Sequence, residues 1–290
     1  MVDFIRPTST PLLLQALRSA ACYAELAVLS GSWDPNDIEA RIFDRSYKKS
    51  GPAKRRATFY KAMNGTVVQP RYLTAIESAF PGTRIRWWRA HPLGEILCNA
   101  ALEQDGVLKA LGTCPAGKER QLMWDENTVG MMSWERFRIE VPDSVEMIDA
   151  LVEIGSVESL LVLLGRMRLA QLRGRSELDM TYERAVWKTL PTCVARSPHL
   201  LLGSDALLAA LDGFLSWSPF SDNRFLGQIW DKQAVELRLS FNSRLAHEIK
   251  HLDVQSPPEE HLSIRRRIVT DILAGRTEQS ARRRKSAGTI

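Results

Sequence analysis

Apolar residues recur at steps of three and four along most of the chain, a spacing that predicts amphipathic helices. In the first of these, predicted from Thr10 to about Leu29, Thr10 is placed to cap the N-terminus and Pro11 to occupy the first helical position. The residues on its predicted apolar face are Leu13, Leu17, Ala20, Ala21, Ala24 and Val28. The sequence from Gly31 to Pro35 breaks this helix, and a second, short helix is predicted over 36–43.

Turn-forming residues divide the next part of the chain into short elements. Asn64-Gly65 ends one predicted helix because both residues tolerate the left-handed backbone conformation, and Pro81-Gly82 stops another. Alternation of polar and apolar residues from Arg84 to Trp88 favours a short strand. The predicted elements are helices over 54–63, 70–80 and 92–102 and the strand over 84–88.

Residues 104–142 carry glycines, prolines and polar residues at irregular spacing, which predicts a connection with little regular structure. Its best strand candidate is Phe137–Val141, where apolar and charged residues alternate. Asp143–Glu146 is similar to a capping box and begins a second helical half. Within that half, Leu160–Leu164 is apolar on all sides, which predicts a helix buried on most of its surface.

The predicted fold is mainly α, with two packed helical halves and at most a short strand pair. Further helices are predicted over 177–190, 204–217, 225–251 and 259–274. The predicted domains are an N-terminal helical domain over 1–103, an irregular connection over 104–142, a C-terminal helical domain over 143–276 and a basic, disordered tail over 277–290.

Composition is that of a soluble globular protein, with 44% apolar and 25% charged residues in a chain of 290. Four widely spaced cysteines form no C-x-x-C pair, so neither a disulfide framework nor a cysteine zinc site is expected. The apolar N-terminal stretch is interrupted by Gln15, Arg18 and Glu25, which argues against a membrane-spanning helix or a signal peptide. We therefore expect a cytoplasmic protein with no membrane partner.

Positive charge is concentrated between residues 45 and 91, here called the basic region. It holds eleven basic residues and one acid, Glu77, a local net charge of +10 in a chain whose total is +5. The basic residues are Arg45, Lys48, Lys49, Lys54, Arg55, Arg56, Lys61, Arg71, Arg84, Arg86 and Arg89. Aromatic residues, Tyr60 and Trp87-Trp88 among them, lie between these charges. Such a region attracts polyanions, through counterion release where the partner is a nucleic acid.

Part of the basic region has the layout of a DNA-binding motif. A short basic helix over Lys54–Met63 is followed by Asn64-Gly65, and Pro70 opens a helix that continues to Phe80. This arrangement resembles part of the helix-turn-helix family of phage-repressor type, in which a glycine turn ends the recognition helix and proline begins the next. The resemblance implies that Lys54–Met63 would enter the major groove of DNA. The alternative interpretation is a solvated pair of basic helices packed on its own core.

A second motif lies near the C-terminus, where His247-Glu248-Ile249-Lys250-His251 resembles the H-E-x-x-H signature of zincin metallopeptidases. The resemblance implies His247 and His251 as zinc ligands and Glu248 as the general base, because residues four apart share one helical face. On a helical wheel of residues 225–251, however, His247 falls outside the apolar arc and His251 lies at its margin. The alternative is the polar flank of a surface helix.

Two further clusters admit both a functional and an ordinary interpretation. Arg265–Arg267 and Arg282–Lys285 could add phosphate contacts, or could be solvated charges of a helix and a tail. If Trp87 and Trp88 lie in a strand they cannot both face the core, so one could form a stacking platform or a protein contact. The alternative is a partly covered surface tryptophan.

The sequence thus favours a protein without catalytic activity or cofactor that binds nucleic acid through the basic region, with DNA favoured over RNA. The expected contact residues are Lys48, Lys49, Lys54, Arg55, Arg56, Tyr60, Lys61, Arg71, Arg84, Arg86 and Arg89. Two alternatives remain open. One is a helical adaptor that binds an acidic protein partner through the same charges and Trp87-Trp88. The other is a zinc-dependent hydrolase built on residues 247–251.

Overall fold

A computed structural model describes residues 10–32, 34–43, 58–63, 65–125 and 139–219 and, beyond them, Ser263 alone. The prediction of a mainly α fold is confirmed, and the described residues form thirteen α-helices. The helices are α1 Thr10–Ser30, α2 Pro35–Phe43, α3 Thr58–Met63, α4 Leu73–Ala79, α5 Ile85–Arg89, α6 Pro92–Cys98, α7 Gln104–Gly112, α8 Lys118–Met123, α9 Val145–Ile154, α10 Val157–Leu172, α11 Ser176–Arg196, α12 Pro198–Leu202 and α13 Ser204–Ser216. A 3₁₀ turn, Pro70–Tyr72, precedes α4.

The described residues also contain one short strand pair, within the limit of at most one pair set by the sequence. Strands β1 (Trp124–Asp125) and β2 (Ile139–Glu140) are antiparallel, with Trp124 opposite Glu140. Strand β2 lies inside the predicted strand Phe137–Val141, which is therefore confirmed for those two residues. The predicted helices over 225–251 and 259–274 and the basic tail lie outside the described part of the chain, apart from Ser263.

The chain divides into two compact units. The described part of the first unit comprises the residues up to His91, Val194–Asp212 and Ser263, and that of the second comprises Pro92–Cys193 and residues 213–219. The first boundary thus lies at residue 91, twelve residues before the predicted boundary at 103. The reason is that α6 packs on α7 and α10, so its buried residues Leu93, Ile96 and Leu97 belong to the core of the second unit.

Helix α1 is the central element of the first unit, since it packs against α2, α3, α5 and α12. Because of these neighbours, α1 buries Tyr23 and Leu26 as well as most of the predicted apolar face. Val28 was predicted on that face but is 46% exposed. Among the described helices, Pro11–Ser30 alone has the length and composition of a membrane span. Core helices share both properties, and 61% of the most apolar part of this helix is buried within the protein.

The strand predicted over residues 84–88 is wrong, because Ile85–Arg89 forms α5. The backbone N–H of Trp88 donates to Arg84 O at 3.0 Å, which is the hydrogen bond of an α-helix. Ile85 and Trp88 are three residues apart and therefore share the buried face. Over only five residues, an alternating pattern does not distinguish this arrangement from a strand.

The irregular connection predicted over residues 104–142 is wrong for 104–112 and 118–123, which form α7 and α8. In α7, Val107 and Leu111 are four residues apart and almost fully buried. Leu111 lies against α10 at Gly165, where an added Cβ atom would stand 2.5 Å from Leu111 Cδ2. Val107 and Leu111 thus form the packing face of α7. The glycines and polar residues around them made this helix hard to predict from the sequence.

The helix start predicted at Asp143–Glu146 is confirmed. Ser144 caps α9, and its hydroxyl accepts a hydrogen bond from the backbone N–H of Met147 at 3.2 Å. In α10 the five residues Leu160–Leu164 are all at most 1% exposed, as the all-apolar pattern predicts.

A buried arginine fastens the strand pair to α10. Arg166 donates from Nη2 to Met123 O at 2.9 Å and to Val141 O at 3.0 Å, and from Nη1 to Glu140 at 3.1 Å. Arg173 adds two hydrogen bonds to Glu140 and holds the pKa of its carboxyl group below the usual value. The two chain segments that flank β1 and β2 are therefore joined through one guanidinium group.

Candidate functional site

Five of the eleven predicted contact residues have described side chains, and all five belong to the first unit. Lys61 lies in α3, Arg71 in the 3₁₀ turn, Arg84 directly before α5, and Arg86 and Arg89 within α5. Tyr60 belongs to α3, but its side chain is outside the described part of the structure. The same holds for all of Lys48, Lys49, Lys54, Arg55 and Arg56, whose assignment as contact residues stays a prediction.

The described basic side chains differ in how much of them reaches the surface. Lys61, Arg71, Arg84 and Arg86 are exposed, and the Arg71 guanidinium lies 4.8 Å from the centre of the Tyr72 ring. Arg89 is half-buried, and its Nε donates to Val68 O at 3.1 Å. Arg89 therefore has a structural role that the sequence did not indicate, whereas the other four present charge to solvent.

Glu77, the acid of the basic region, pairs with Arg86. Arg86 Nε lies 2.5 Å from Glu77 Oε1, and Nη2 donates to Oε2 at 2.8 Å. This bidentate hydrogen bonding lowers the pKa of Glu77 and raises that of Arg86. Both side chains are well exposed, and a solvent-exposed pair contributes little to stability. A phosphate group could therefore replace the carboxylate at little cost to the fold.

Helix α3 corresponds to the end of the proposed recognition helix. Phe59 and Ala62 are fully buried, and the Ser19 hydroxyl of α1 donates to Ala62 O at 2.6 Å. That contact leaves Lys61 on the exposed side of α3. Only residues 58–63 of the proposed helix are described, so the helix-turn-helix resemblance stays a prediction.

The tryptophan pair lies in an array of stacked rings. Trp88 is 4% exposed, and its ring stacks on that of His91 at 5.1 Å and on that of His199 at 3.9 Å. Trp87 is half-buried and meets the His91 ring edge-on at 4.8 Å. The Arg84 guanidinium lies within 6 Å of both tryptophan rings. The helix turns Trp88 into the core, so of the two tryptophans only Trp87 reaches the surface, as a partly covered residue.

A buried carboxylate on α1 holds the start of α5 in place. Glu25 Oε1 accepts from the backbone N–H of Arg84 at 2.7 Å and from the Thr83 hydroxyl at 3.1 Å, while Oε2 lies 2.7 Å from His199 Nε2. Burial alone would raise the pKa of Glu25, but hydrogen bonds from His199, Arg84 and Thr83 together lower it. Glu25 thus positions a predicted contact residue, Arg84.

Sequence reasoning missed both Glu25 and His199 as site residues. Glu25 left one signal, a charged residue in an otherwise apolar stretch, and such a residue needs a partner once it is buried. His199 gave no such signal in the sequence, because its partner Glu25 is 174 residues away in the chain.

Charge in the sequence follows the division into compact units. Residues 1–91 hold fourteen basic and seven acidic residues, whereas residues 92–193 hold eleven basic and sixteen acidic residues. The segment that contains the basic region therefore has a net charge of +7, and the segment that begins at Pro92 has one of −5.

No family model, curated protein or solved structure matches the chain. The functional assignment therefore rests on the charges and contacts of the chain itself. Within the residues that the structure describes, no group of three or more histidine, cysteine, aspartate or glutamate residues could hold a metal ion. The H-E-x-x-H string at 247–251 lies outside those residues, so the zinc site stays a prediction.

Proposed function

We propose that this protein binds nucleic acid without catalysis, as a regulator or an accessory subunit of a nucleoprotein complex, through the basic region at residues 45–91. The observation that supports this most is the separation of charge, with a net +7 in residues 1–91 and −5 in residues 92–193. A polyanion is attracted to the first segment and repelled by the second. DNA is favoured over RNA because of the resemblance of residues 54–80 to a helix-turn-helix.

The roles of the described basic residues follow from their contacts. Lys61, Arg71 and Arg84 are exposed and would contact phosphate groups. Arg86 would exchange its carboxylate partner for a phosphate, and Arg89 would support the backbone at Val68. Lys48, Lys49, Lys54, Arg55, Arg56 and Tyr60 complete the proposed contact set.

An adaptor for an acidic protein has less support. Its hot spot would be Trp87 and Trp88, and hot-spot aromatic residues are those that insert into a partner. Trp88 is 4% exposed, and Trp87 already contacts His91 and the guanidinium of Arg84. Neither ring is placed to anchor a second protein.

The test is a binding titration with fluorescent duplex DNA at several salt concentrations. We compare the wild type with two triple alanine variants, one at Lys54/Arg55/Arg56 and one at Lys61/Arg71/Arg84. Because each phosphate contact releases counterions, the slope of log affinity against log salt should become shallower by about 0.9 for each contact that a variant loses.

The matched control removes three exposed positive charges from the other compact unit, at Lys109, Lys118 and Lys188. It changes the net charge by the same amount and should leave the slope unaltered. Equal weakening by all three variants would mean that the total charge, and not the basic region, determines affinity. Competition with a single strand and with an acidic polypeptide separates duplex binding from the alternatives.

A further inference from the structure

Two imidazole rings stack on Trp88, and their surroundings differ. His91 is 5% exposed, and its burial, assisted by the charges of Arg84, His199 and Arg18, lowers its pKa to about 3. It therefore stays neutral at physiological pH. The His199 side chain is 16% exposed and lies 2.7 Å from the carboxylate of Glu25. Of the two rings, His199 alone combines access to water with an anionic partner.

Glu25 remains an anion in mildly acidic solution, because its hydrogen bonds lower its pKa despite the opposing effect of burial. One of its oxygens holds the start of α5 through Arg84 and Thr83, and the other binds His199 of α12. A carboxylate accepts hydrogen bonds only, so His199 Nε2 carries the proton in this contact. A second proton can therefore be added only at Nδ1.

We propose that His199 fastens α12 to α1 and α5 in a proton-dependent manner, more firmly as an imidazolium than as a neutral ring. The neutral ring donates one hydrogen bond to Glu25 and stacks on Trp88. The cation adds an ion pair to the first contact and a cation–π attraction to the second. Both contacts are largely shielded from water. Such attractions are stronger in the protein interior than at the surface.

The titratable groups around this imidazole come from two elements among the described residues. Helix α1 supplies Glu25, which contacts His199, and His91, which follows α5, interacts with His199 electrostatically. Arg18, Arg84 and Arg89 act on His91 or on Cys22, close to Glu25 on α1. Cys22 is a neutral thiol, since burial raises its pKa to about 12.

The test compares thermal unfolding of the full-length wild type and His199→Gln at about pH 5.5 and about pH 8, on either side of the range in which imidazole ordinarily titrates. Glutamine still donates a hydrogen bond to Glu25 but carries no charge. The loss of Tm caused by the substitution should be greater at the lower pH by about 2 °C or more. An equal loss at both pH values overturns the proposal. The comparison is repeated with His91→Phe in both proteins, because the charge of His199 also lowers the pKa of His91.

A second variant shows whether Glu25 is the partner. In a Glu25→Gln background the carboxylate charge is absent, so His199→Gln should lower Tm by a similar amount at both pH values. A pH-dependent loss that persists in this background would rule out Glu25.

Trp88 provides a readout that overall stability does not affect. An imidazolium in contact with an indole ring quenches its fluorescence more than a neutral imidazole does. The emission lost on Trp88→Phe substitution should therefore be smaller at about pH 5.5 than at about pH 8. In the His199→Gln background this difference should disappear. Its persistence there would assign the quenching to another group.

The consequence for binding rests on the proposed function. Because one carboxylate holds both His199 and the backbone of Arg84, DNA affinity should show a pH dependence that His199→Gln reduces. Unfolding and fluorescence are measured without DNA. If unfolding and fluorescence show the expected pH dependence but no DNA binds, only the proposed function is wrong. If DNA binds but neither measurement shows that pH dependence, only the proton-dependent contact is wrong.

Discussion

At the scale of single residues, burial of ionisable groups decides how the protein responds to acid. His91 and Glu25 are both buried, but only Glu25 has contacts that outweigh the effect of burial on the charged form. Glu25 therefore stays ionised in the folded state and His91 stays neutral.

His91 should make the folded protein less stable as the pH falls. From its ordinary value of 6.5 down to about 3, the unfolded chain binds a proton at His91 that the folded chain does not. The free energy of unfolding should therefore decrease with falling pH by up to about 1.4 kcal/mol per pH unit in this range. His91→Phe keeps an aromatic ring beside Trp88 and removes the titration.

Urea denaturation of the wild type and His91→Phe at several pH values between 7 and 4 measures this effect. The substitution should reduce the dependence of stability on pH, whatever its effect at neutral pH. Parallel curves for the two proteins would contradict the assignment of a buried, neutral His91.

At the scale of elements, close packing of helices limits what each position tolerates. Gly165 of α10 should not accept alanine, because the new Cβ atom would lie 2.5 Å from Leu111 Cδ2 of α7. Such overpacking costs about 1 to 3 kcal/mol, more than the helix propensity of about 1 kcal/mol that alanine gains over glycine. We expect Gly165→Ala to lower the free energy of unfolding.

Gly213→Ala is the matched control, since Gly213 lies within α13 and the nearest atom to its added Cβ, in Trp217, is 3.9 Å away. This variant should be neutral or slightly more stable in the same chemical denaturation experiment. Leu111→Ala should reduce the cost of Gly165→Ala when the two are combined, because it removes the atom that clashes. Additive effects of the two substitutions would disprove the contact.

The fastening of the strand pair by Arg166 leads to a second prediction at this scale. Arg166 is 3% exposed. Arg166→Met removes the hydrogen-bond donor to Met123 O and Val141 O and one of the donors to the Glu140 carboxylate. The loss should be about 3 kcal/mol or more, as for other broken buried ion pairs. Arg175 also pairs with an acid, Asp143, but is 55% exposed, so Arg175→Met should cost about 1 kcal/mol or less. Comparable losses in both variants would show that burial does not decide the difference.

At the scale of the whole molecule, the sequence predicts what depends on neighbouring residues. The bounds of α1, the capped start of α9 and the burial of Leu160–Leu164 in α10 were predicted correctly, because caps and apolar periodicity are local signals. The five residues of α5 were too few to separate a helical from a strand pattern. Glu25 and His199 are 174 residues apart, so no local sequence pattern could predict their contact.

The candidate site was predictable in its charge but not in its construction. The concentration of arginine and lysine between residues 45 and 91 is visible in the sequence. The contacts that assign a structural role to Arg89, pair Arg86 with Glu77 and bury Trp88 depend on how α5 packs against Val68, α4 and α12. The composition therefore indicated a polyanionic partner. The tertiary structure was needed to tell which basic residues are exposed and which support the fold.

The position of α12 has a consequence for synthesis of the protein. Helix α1 is synthesised before α12, which covers part of its apolar surface and comes from a segment 174 residues later, as measured from Glu25 to His199. At about 5 to 20 residues per second, translation leaves that surface without its final cover for roughly 9 to 35 s. An uncovered apolar helix is a target for chaperones and for aggregation, so the nascent chain should depend on a holding factor until α12 has emerged.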